Sequence, residues 1–180
     1  MSSAHALSFR LIGSRVNREI ETLIPNDEDL LNVDVNERTI SQRLAVYLDR
    51  EFSGWNVDYE YNRKMGDTKT LDCLRHRVEG DTNNADDTVA KTVYPDIIIY
   101  RRRREDNLLV IEVNKSSRET RIDERKREAF TGSEYEYRFG LLLVIDGSSE
   151  PICTWYESGT PMEPRMTSTK PIRSRSTSTR

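Results

Sequence analysis

The feature that most constrains the fold of this chain is a pair of apolar runs separated by a short charged segment. The runs are "PDIIIYRR" and "NLLVIEVNK", and the segment that joins them reads "RREDN". Both runs have the length of a strand and are rich in Ile, Leu and Val, and the charged residues between them suit an exposed turn. The pattern therefore predicts an antiparallel β-hairpin.

The segment before the hairpin carries two helical patterns and one alternating pattern. Residues 5–24 place Leu, Ile and Val at helical spacing, and Pro25 is expected to close this helix. A second helix is predicted over "ERTISQRLAVYLDREF", with Asn36 as its N-cap and Gly54 after its end. The intervening "PNDEDLLNVDVN" is interpreted as a linker, and "NVDYEYNR" is interpreted as a strand.

The segment after the hairpin returns to a helix and then to strands. "SSRETRIDERKREAFTG" predicts a charged helix, "YRFGLLLVID" a strand buried on both faces, and "PICTWYES" a last strand. Helices and strands thus interleave along the chain. This order predicts an α/β domain with one mixed sheet flanked by helices.

Composition divides the chain into three parts. An N-terminal amphipathic helix is assigned to residues 1–30, the main domain to 31–157, and a basic Ser/Thr-rich tail to 158–180, which is expected to be disordered. Within the main domain, residues 64–92 are polar and are interpreted as a long loop or mobile insertion that can hold one short strand near 71–78. Since only 35% of residues are hydrophobic, one modest core is expected.

The expected cellular setting follows from cysteine usage and run length. Two cysteines give no disulfide framework and favour a reducing, intracellular compartment. The longest apolar runs are far shorter than the roughly 20 residues that cross a bilayer. We therefore expect a soluble, cytoplasmic protein with no membrane contact. The net charge of -3 conceals local basic segments, so it neither favours nor excludes a polyanionic partner.

Two carboxylates mark the ends of the predicted hairpin. Asp96 begins its first strand and Glu112 lies near the end of its second, so antiparallel pairing brings the two residues close together. If both side chains face the same side, two like charges converge, and a divalent cation neutralises such a pair well. Mg²⁺ is the expected ion, with Mn²⁺ as an alternative. The other interpretation is an ordinary strand entry at Asp96 and a solvated strand end at Glu112.

The segment "PDIIIY…NLLVIEVNKSS" resembles the core of the PD-(D/E)XK phosphodiesterases, the restriction-endonuclease-like superfamily, and the resemblance extends over residues 36–145. It implies a Mg²⁺-dependent nuclease that acts on DNA, with RNA not excluded. Asp96 and Glu112 would be its catalytic metal ligands. Glu37 would match the acidic residue that some branches supply from the preceding helix, and it would be a further metal ligand. The alternative role of Glu37 is a favourable interaction with the helix dipole or a cap.

The sequence departs from the family pattern at the catalytic lysine. The position two residues after Glu112 holds Asn114, and Lys115 follows one residue later. A bulge could turn Lys115 back into the site, or Asn114 could position the attacking water, or catalysis could be lost. Lys126 on the following helix is a further source of positive charge. The alternative function is therefore an inactive nuclease-fold protein that binds nucleic acid or a protein partner.

Two further features suggest partners. Arg101, Arg102, Arg103 and Arg104 could grip nucleic-acid phosphates, or they could form a solvated turn balanced by the acidic residues that follow them. The basic tail could add non-specific attraction to nucleic acid. The apolar stripe of the N-terminal helix could pair with a second copy of the chain or with another protein.

Overall fold

The computed structural model describes residues 7–32, 37–60, 63–64, 67–68, 95–104, 106–115, 130–132, 135–146 and 149–163. These residues form three helices and eight strands. The helices are α1 (Phe9–Asn26), α2 (Glu28–Asn32) and α3 (Glu37–Glu51). The strands are β1 (Asn56–Tyr59), β2 (Arg63–Lys64), β3 (Asp67–Thr68), β4 (Ile97–Arg101), β5 (Asp106–Asn114), β6 (Phe139–Val144), β7 (Ile152–Glu157) and β8 (Thr160–Pro161).

Six of the strands form one mixed sheet in the order β1-β4-β5-β6-β7-β8. β5 and β6 are parallel, and every other neighbouring pair in this sheet is antiparallel. β4 and β5 form the predicted hairpin, which pairs from Ile97↔Ile111 to Arg101↔Asp106. The prediction of an α/β domain with a mixed sheet flanked by helices is confirmed. β2 and β3 pair with each other in a separate two-stranded sheet, and residues 69–94 of the predicted insertion lie outside the described residues.

The segment around Pro25 differs from the sequence prediction. α1 begins at the N-cap Ser8, whose hydroxyl accepts the Leu11 N–H, and it continues through Pro25 to Asn26. Pro25 is tolerated because it lies in the last turn, where Asp27 N–H still donates to the Leu23 carbonyl at 2.9 Å. The predicted linker was wrong in part, because it contains the short helix α2. Leu31 of this helix is only 3% exposed, and its burial in the core provides a tertiary reason for the helix.

The main hydrophobic core lies between the helices and one face of the sheet. α1 contributes Ile12, Val16, Ile20 and Leu23, and α3 contributes Ile40, Leu44 and Leu48. The sheet contributes Ile97, Ile99, Leu109, Ile111, Val113, Leu141 and Leu143. The apolar stripe of α1 is therefore covered by the chain itself, which removes the reason for expecting a protein partner or homodimer on that stripe. α1 also shares one core with the domain from which the sequence prediction had separated it.

A second, smaller cluster covers the opposite face of the sheet. It consists of Ile98, Tyr100 and Val110 from the hairpin together with Phe130, Tyr135 and Tyr137 from the crossover to β6. Phe130 and Thr131 are helical, and residues 116–129 of the predicted crossover helix lie outside the described residues. Tyr137 N–H donates to the Phe130 carbonyl at 3.0 Å, which closes the crossover before β6 begins. The sheet is thus apolar on both faces, as the continuous apolar runs predicted.

The ordered domain extends beyond the predicted start of the tail. β8 pairs with β7 through Tyr156↔Pro161 and Glu157↔Thr160. The turn between these strands has φ of 50° at Ser158 and 77° at Gly159, and two positive φ values favour the tight turn of a hairpin. The prediction of disorder from residue 158 was therefore wrong for residues 158–163. Residues 164–180 lie outside the described residues.

Gly140 is a point of close approach between β6 and the crossover. A Cβ atom at this position would lie 2.8 Å from the Cγ2 atom of Thr131. Thr131 is 5% exposed, and its hydroxyl accepts the Gly159 N–H at 2.9 Å, so its methyl group cannot easily rotate away. Gly140→Ala is expected to lower the free energy of unfolding by about 1–3 kcal/mol, as measured by urea denaturation.

Two further variants test this prediction. Thr131→Ser removes the methyl group and keeps the hydroxyl, so the Gly140→Ala/Thr131→Ser double variant is expected to recover much of the loss. Gly13→Ala is the matched control: this glycine lies in α1, its added Cβ would meet Trp155 at 4.0 Å, and it should stabilise the helix by roughly 0.5–1 kcal/mol. A Gly140→Ala protein as stable as the parent would contradict the prediction.

Candidate active site

Asp96 and Glu112 are brought together at one end of the hairpin. The antiparallel register pairs Ile97 with Ile111, and its continuation by one residue places Asp96 opposite Glu112. Directly opposite residues point to the same face of a sheet. This is the face of Ile98 and the smaller aromatic cluster, on the side away from α1 and α3. Asp96 directly precedes β4 and Glu112 lies on β5, so the continued register places the two residues at the same level of the sheet.

Asp96 also holds the end of the hairpin in place. Its Oδ2 atom accepts the Val113 N–H at 2.8 Å, and its backbone carbonyl accepts the Glu60 N–H at 3.0 Å. β4 begins one residue later, at Ile97. The Val113 N–H of β5 is therefore satisfied by the Asp96 carboxylate and not by a backbone carbonyl of β4. Hydrogen bonds to an ionised acceptor are stronger than neutral ones. Asp96 thus links β4 to β5 and β1 at the level of the candidate site.

Glu112 is the more deeply placed carboxylate. It is 8% exposed, and its Oε1 atom is shielded from solvent. Its register partner on β6 is Leu142, and Val110 precedes it on the same face of β5. Burying an ionised carboxylate among apolar side chains is costly unless a cation or hydrogen bonds compensate for the lost hydration. A divalent cation at this level of the sheet would supply such compensation.

Glu37 reaches the same end of β5 from the helical side. It is the first residue of α3, and its Oε1 atom accepts the Lys115 N–H at 2.9 Å. An acidic side chain in the first turn also suits the positive end of the helix dipole. The observed contact makes Glu37 a link between α3 and the end of β5.

The donor set around the carboxylates fits a hard divalent ion. Mg²⁺ takes oxygen ligands and is commonly held by one or two protein carboxylates with water completing its coordination. Asp96 and Glu112 supply such a pair, while Glu37 is engaged with the backbone of Lys115. In the described part of the chain, no group of three or more His, Cys, Asp or Glu side chains is close enough to hold a metal. The described residues therefore place two carboxylates, Asp96 and Glu112, where they would hold an ion, and they bring no third such side chain close to them.

β5 is regular up to Asn114, the residue that stands at the position of the family's lysine. β5 pairs with β6 without interruption from Leu109↔Phe139 to Asn114↔Val144, and Ile145 N–H donates to the Asn114 carbonyl at 2.9 Å. The register shift in the hairpin lies at Ile99/Tyr100, near the opposite end. The pairing with β6 thus shows no bulge up to Asn114, and Lys115 follows the end of β5 as a bend. By strand alternation, Asn114 shares the face of Glu112. Lys126 lies outside the described residues.

The arginine block is divided between the two faces of the sheet. The Arg101 guanidinium lies 4.2 Å from the centre of the Trp55 ring and pairs with Asp106 at 2.9 Å. Arg103 and Arg104 are exposed in the turn, and Arg103 has a positive φ of 63°. This turn lies at the far end of β4 from Asp96, about 16 Å away for five strand residues. The four arginines therefore do not form one surface beside the carboxylates.

Arg102 belongs to a network that the sequence did not reveal. The Tyr100 hydroxyl donates to Asp58 Oδ2 at 2.7 Å, and Arg102 donates to Asp58 at 3.0 Å and to the Tyr100 hydroxyl at 3.3 Å. The pKa of the Arg102 guanidinium is raised, first by its hydrogen bond to Tyr100 and then by Asp58. Strand alternation in "NVDY" was the available signal for Asp58, but the pairing of β1 with β4 is needed to place it beside Tyr100.

Away from the candidate site, burial is the largest cause of a raised pKa at Glu19 and at the half-buried Cys153. Burial, with a smaller effect from Glu51, raises the pKa of Glu19 on α1. Burial also raises the pKa of the Cys153 thiol to about 11, so this cysteine is protonated at neutral pH. Because the thiolate is the reactive form, Cys153 is a poor nucleophile.

Comparisons with known proteins add no assignment. The chain matches no family model, and neither the curated proteins nor the solved structures contain a significant match. Among the helices in the described residues, none combines the length and the apolar character needed to span a membrane.

Proposed function

We propose that this chain is a Mg²⁺-dependent phosphodiesterase of the PD-(D/E)XK type that cleaves DNA, with Mn²⁺ as an alternative ion. The observations that carry the proposal are the hairpin register, whose continuation by one residue places Asp96 opposite Glu112, and the bond from the Val113 N–H to Asp96 Oδ2 at 2.8 Å, which holds the Asp96 carboxylate beside β5. Convergent carboxylates in an apolar sheet favour a divalent cation. The residues that resemble the family motif are the same two residues.

The order of elements supports a restriction-endonuclease-like fold. α3 precedes the three antiparallel strands β1, β4 and β5, and the chain then crosses over to β6, which runs parallel to β5. The family has the same sequence of a helix, a hairpin that carries the motif, and a crossover to a further strand. The proposal thus rests on both the site and the order in which the chain builds it.

Each residue of the site would have a separate role. Asp96 and Glu112 would hold the ion, which when bound polarises a phosphoryl oxygen and lowers the pKa of a bound water. The Asn114 amide, on the face of Glu112, would orient the attacking water by hydrogen bonding. Glu37 would keep the end of β5 in position through the Lys115 N–H.

The test is cleavage of end-labelled single- and double-stranded DNA by the folded protein, with Mg²⁺, with Mn²⁺ and with a chelator. We expect cleavage with either ion and no cleavage with the chelator. Glu112→Gln should lose cleavage, whereas Glu157→Gln, an exposed glutamate on β7, should retain it. A folded parent protein that cleaves neither substrate would overturn the proposal.

A cation-binding measurement on the same proteins is independent of cleavage. An ion that binds only the folded state stabilises it by about 2.7 kcal/mol at 100 times its dissociation constant. The parent and Glu157→Gln are therefore expected to unfold at a higher temperature with Mg²⁺ or Mn²⁺. Glu112→Gln should show little of this increase.

The second candidate function is DNA binding without cleavage. It is favoured by the regular strand at Asn114, which leaves an amide on the Glu112 face at the position where the family carries a lysine. RNA is a further substrate to include in both assays, since nothing in the site distinguishes the two backbones.

A further inference from the structure

The described residues contain two networks with the same three side-chain types. In the first, the Tyr47 hydroxyl donates to Asp27 at 2.8 Å and accepts from Arg43 at 3.0 Å. Arg43 also donates to Asp27 at 2.8 Å. The network that joins Asp58, Tyr100 and Arg102 repeats these three contacts. The chemistry of the two networks is therefore matched, while their surroundings differ.

The first network is a structural link between helices. It joins Asp27, at the junction of α1 and α2, to two residues of α3, and the Asp27 side chain is only 9% exposed. The second network is more open, with 29% of the Asp58 side chain and 57% of the Arg102 side chain exposed. Two of the five N–H donors of Arg102 are used in these contacts, so the group retains donors for a further acceptor.

The second network also lies on the face of the candidate site. Asp58 pairs with Ile98, which is two residues or about 7 Å along β4 from Asp96. Tyr100 and Ile98 face the same side as Asp96, because alternate residues of a strand share a face. The Arg102 side chain extends from the turn back to Asp58, so its guanidinium is held over this face.

We propose that Arg102, positioned by Tyr100 and Asp58, binds a DNA phosphate that neighbours, along the DNA strand, the phosphate that would contact a cation held by Asp96 and Glu112. This proposal rests on the proposed function. A displacement of about 7 Å along β4 is of the order of the spacing between neighbouring phosphates of one DNA strand, which rise by about 3.4 Å per nucleotide along the helix axis while winding around it. Arginine presents a planar fork that matches two phosphate oxygens.

The neighbouring arginines are less suited to this role. Arg101 is stacked on Trp55 and paired with Asp106 on the side of the sheet that faces the helices. Arg103 and Arg104 lie in the turn, where no described contact fixes their side chains over the carboxylate face. Tyr100 is a positioning residue, since its hydroxyl limits the orientations of Arg102 and so lowers the entropy lost on binding a phosphate.

The test is DNA binding in a chelator, measured as fluorescence anisotropy of a labelled duplex of about 20 base pairs over a range of salt concentrations. Arg102→Gln is expected to weaken binding and to reduce the slope of log affinity against log salt by about 0.9, the value for one phosphate contact. Tyr100→Phe should weaken binding about fivefold and keep the parent slope, because the charge of Arg102 remains. Tyr47→Phe is the matched control and should bind as the parent does.

The outcomes separate this proposal from the proposed function. If the parent binds DNA and Arg102→Gln shows the parent affinity and slope, the role of Arg102 is overturned and the nuclease proposal stands. If Tyr47→Phe weakens binding as much as Tyr100→Phe, the positioning role of Tyr100 is overturned. A parent protein that neither binds nor cleaves DNA overturns both proposals.

Discussion

Replacement of Asp96 by asparagine is expected to lower the rate of DNA cleavage strongly with only a small loss in the free energy of unfolding, and replacement by alanine is expected to lower both strongly. The asparagine amide oxygen can still accept the Val113 N–H, which Asp96 accepts at 2.8 Å in the parent. Alanine leaves this N–H without its acceptor, at a cost of about 1–3 kcal/mol. Both variants would lose a proposed metal ligand, so cleavage should fall by a factor on the order of 10³.

The measurements are urea denaturation and initial cleavage rates at saturating Mg²⁺. Asp146→Asn is the matched control, because the Oδ1 atom of Asp146 accepts the Ser149 N–H at 3.0 Å in a loop after β6. It should leave both stability and cleavage unchanged. Cleavage at the parent rate by Asp96→Asn would show that this carboxylate holds no catalytic ion. Equal stability of Asp96→Ala and Asp96→Asn would show that the bond to Val113 adds little.

The parts of the fold that the sequence predicted are those in which local pattern and burial agree. α3 has a regular apolar side, and β4, β5 and β6 are continuous apolar runs bounded by charged or glycine-containing segments. Each of these patterns spans only a few residues, so it can be read from the sequence without knowledge of the tertiary fold. The hairpin register, whose continuation places Asp96 opposite Glu112, follows from these local patterns.

The parts that the sequence did not predict depend on contacts between distant segments. α2 looked like a linker because the burial of Leu31 against the core is a tertiary property. β8 looked like the start of a tail because its turn relies on the positive φ of Ser158 and on the bond from Gly159 to Thr131. Polar composition alone therefore led to a predicted linker where α2 lies and to a predicted tail where β8 lies.

The candidate site shows the same division. The contact of Glu37 with the Lys115 backbone depends on how α3 packs against the end of β5. The sequence therefore indicated Glu37 as a candidate and did not predict that it binds the Lys115 N–H. The arginine block was a single charge run in the sequence. Pairing of β1 with β4 assigns Arg102 to Asp58, while the packing of Trp55 draws Arg101 to the other face.

Asn114→Lys is expected to raise DNA cleavage by a factor on the order of 10–100, within the usual range for a group that assists proton transfer. The regular pairing of β5 with β6 keeps residue 114 on the face of Glu112, so a lysine there would bring its charge to the attacking water and the phosphate. The measurement is the single-turnover cleavage rate with Mg²⁺, compared with DNA affinity in a chelator.

Two comparisons decide what the asparagine does in the parent protein. Lys115→Gln tests the neighbouring lysine and should change the rate little, because Lys115 lies beyond the end of β5 and the substitution keeps the backbone N–H that donates to Glu37. A parent that binds DNA without cutting, together with an active Asn114→Lys, assigns the chain to DNA binding and shows that one side chain separates binding from catalysis. A parent that cleaves faster than Asn114→Lys contradicts the prediction, because the amide would then orient the water better than a charged amine can.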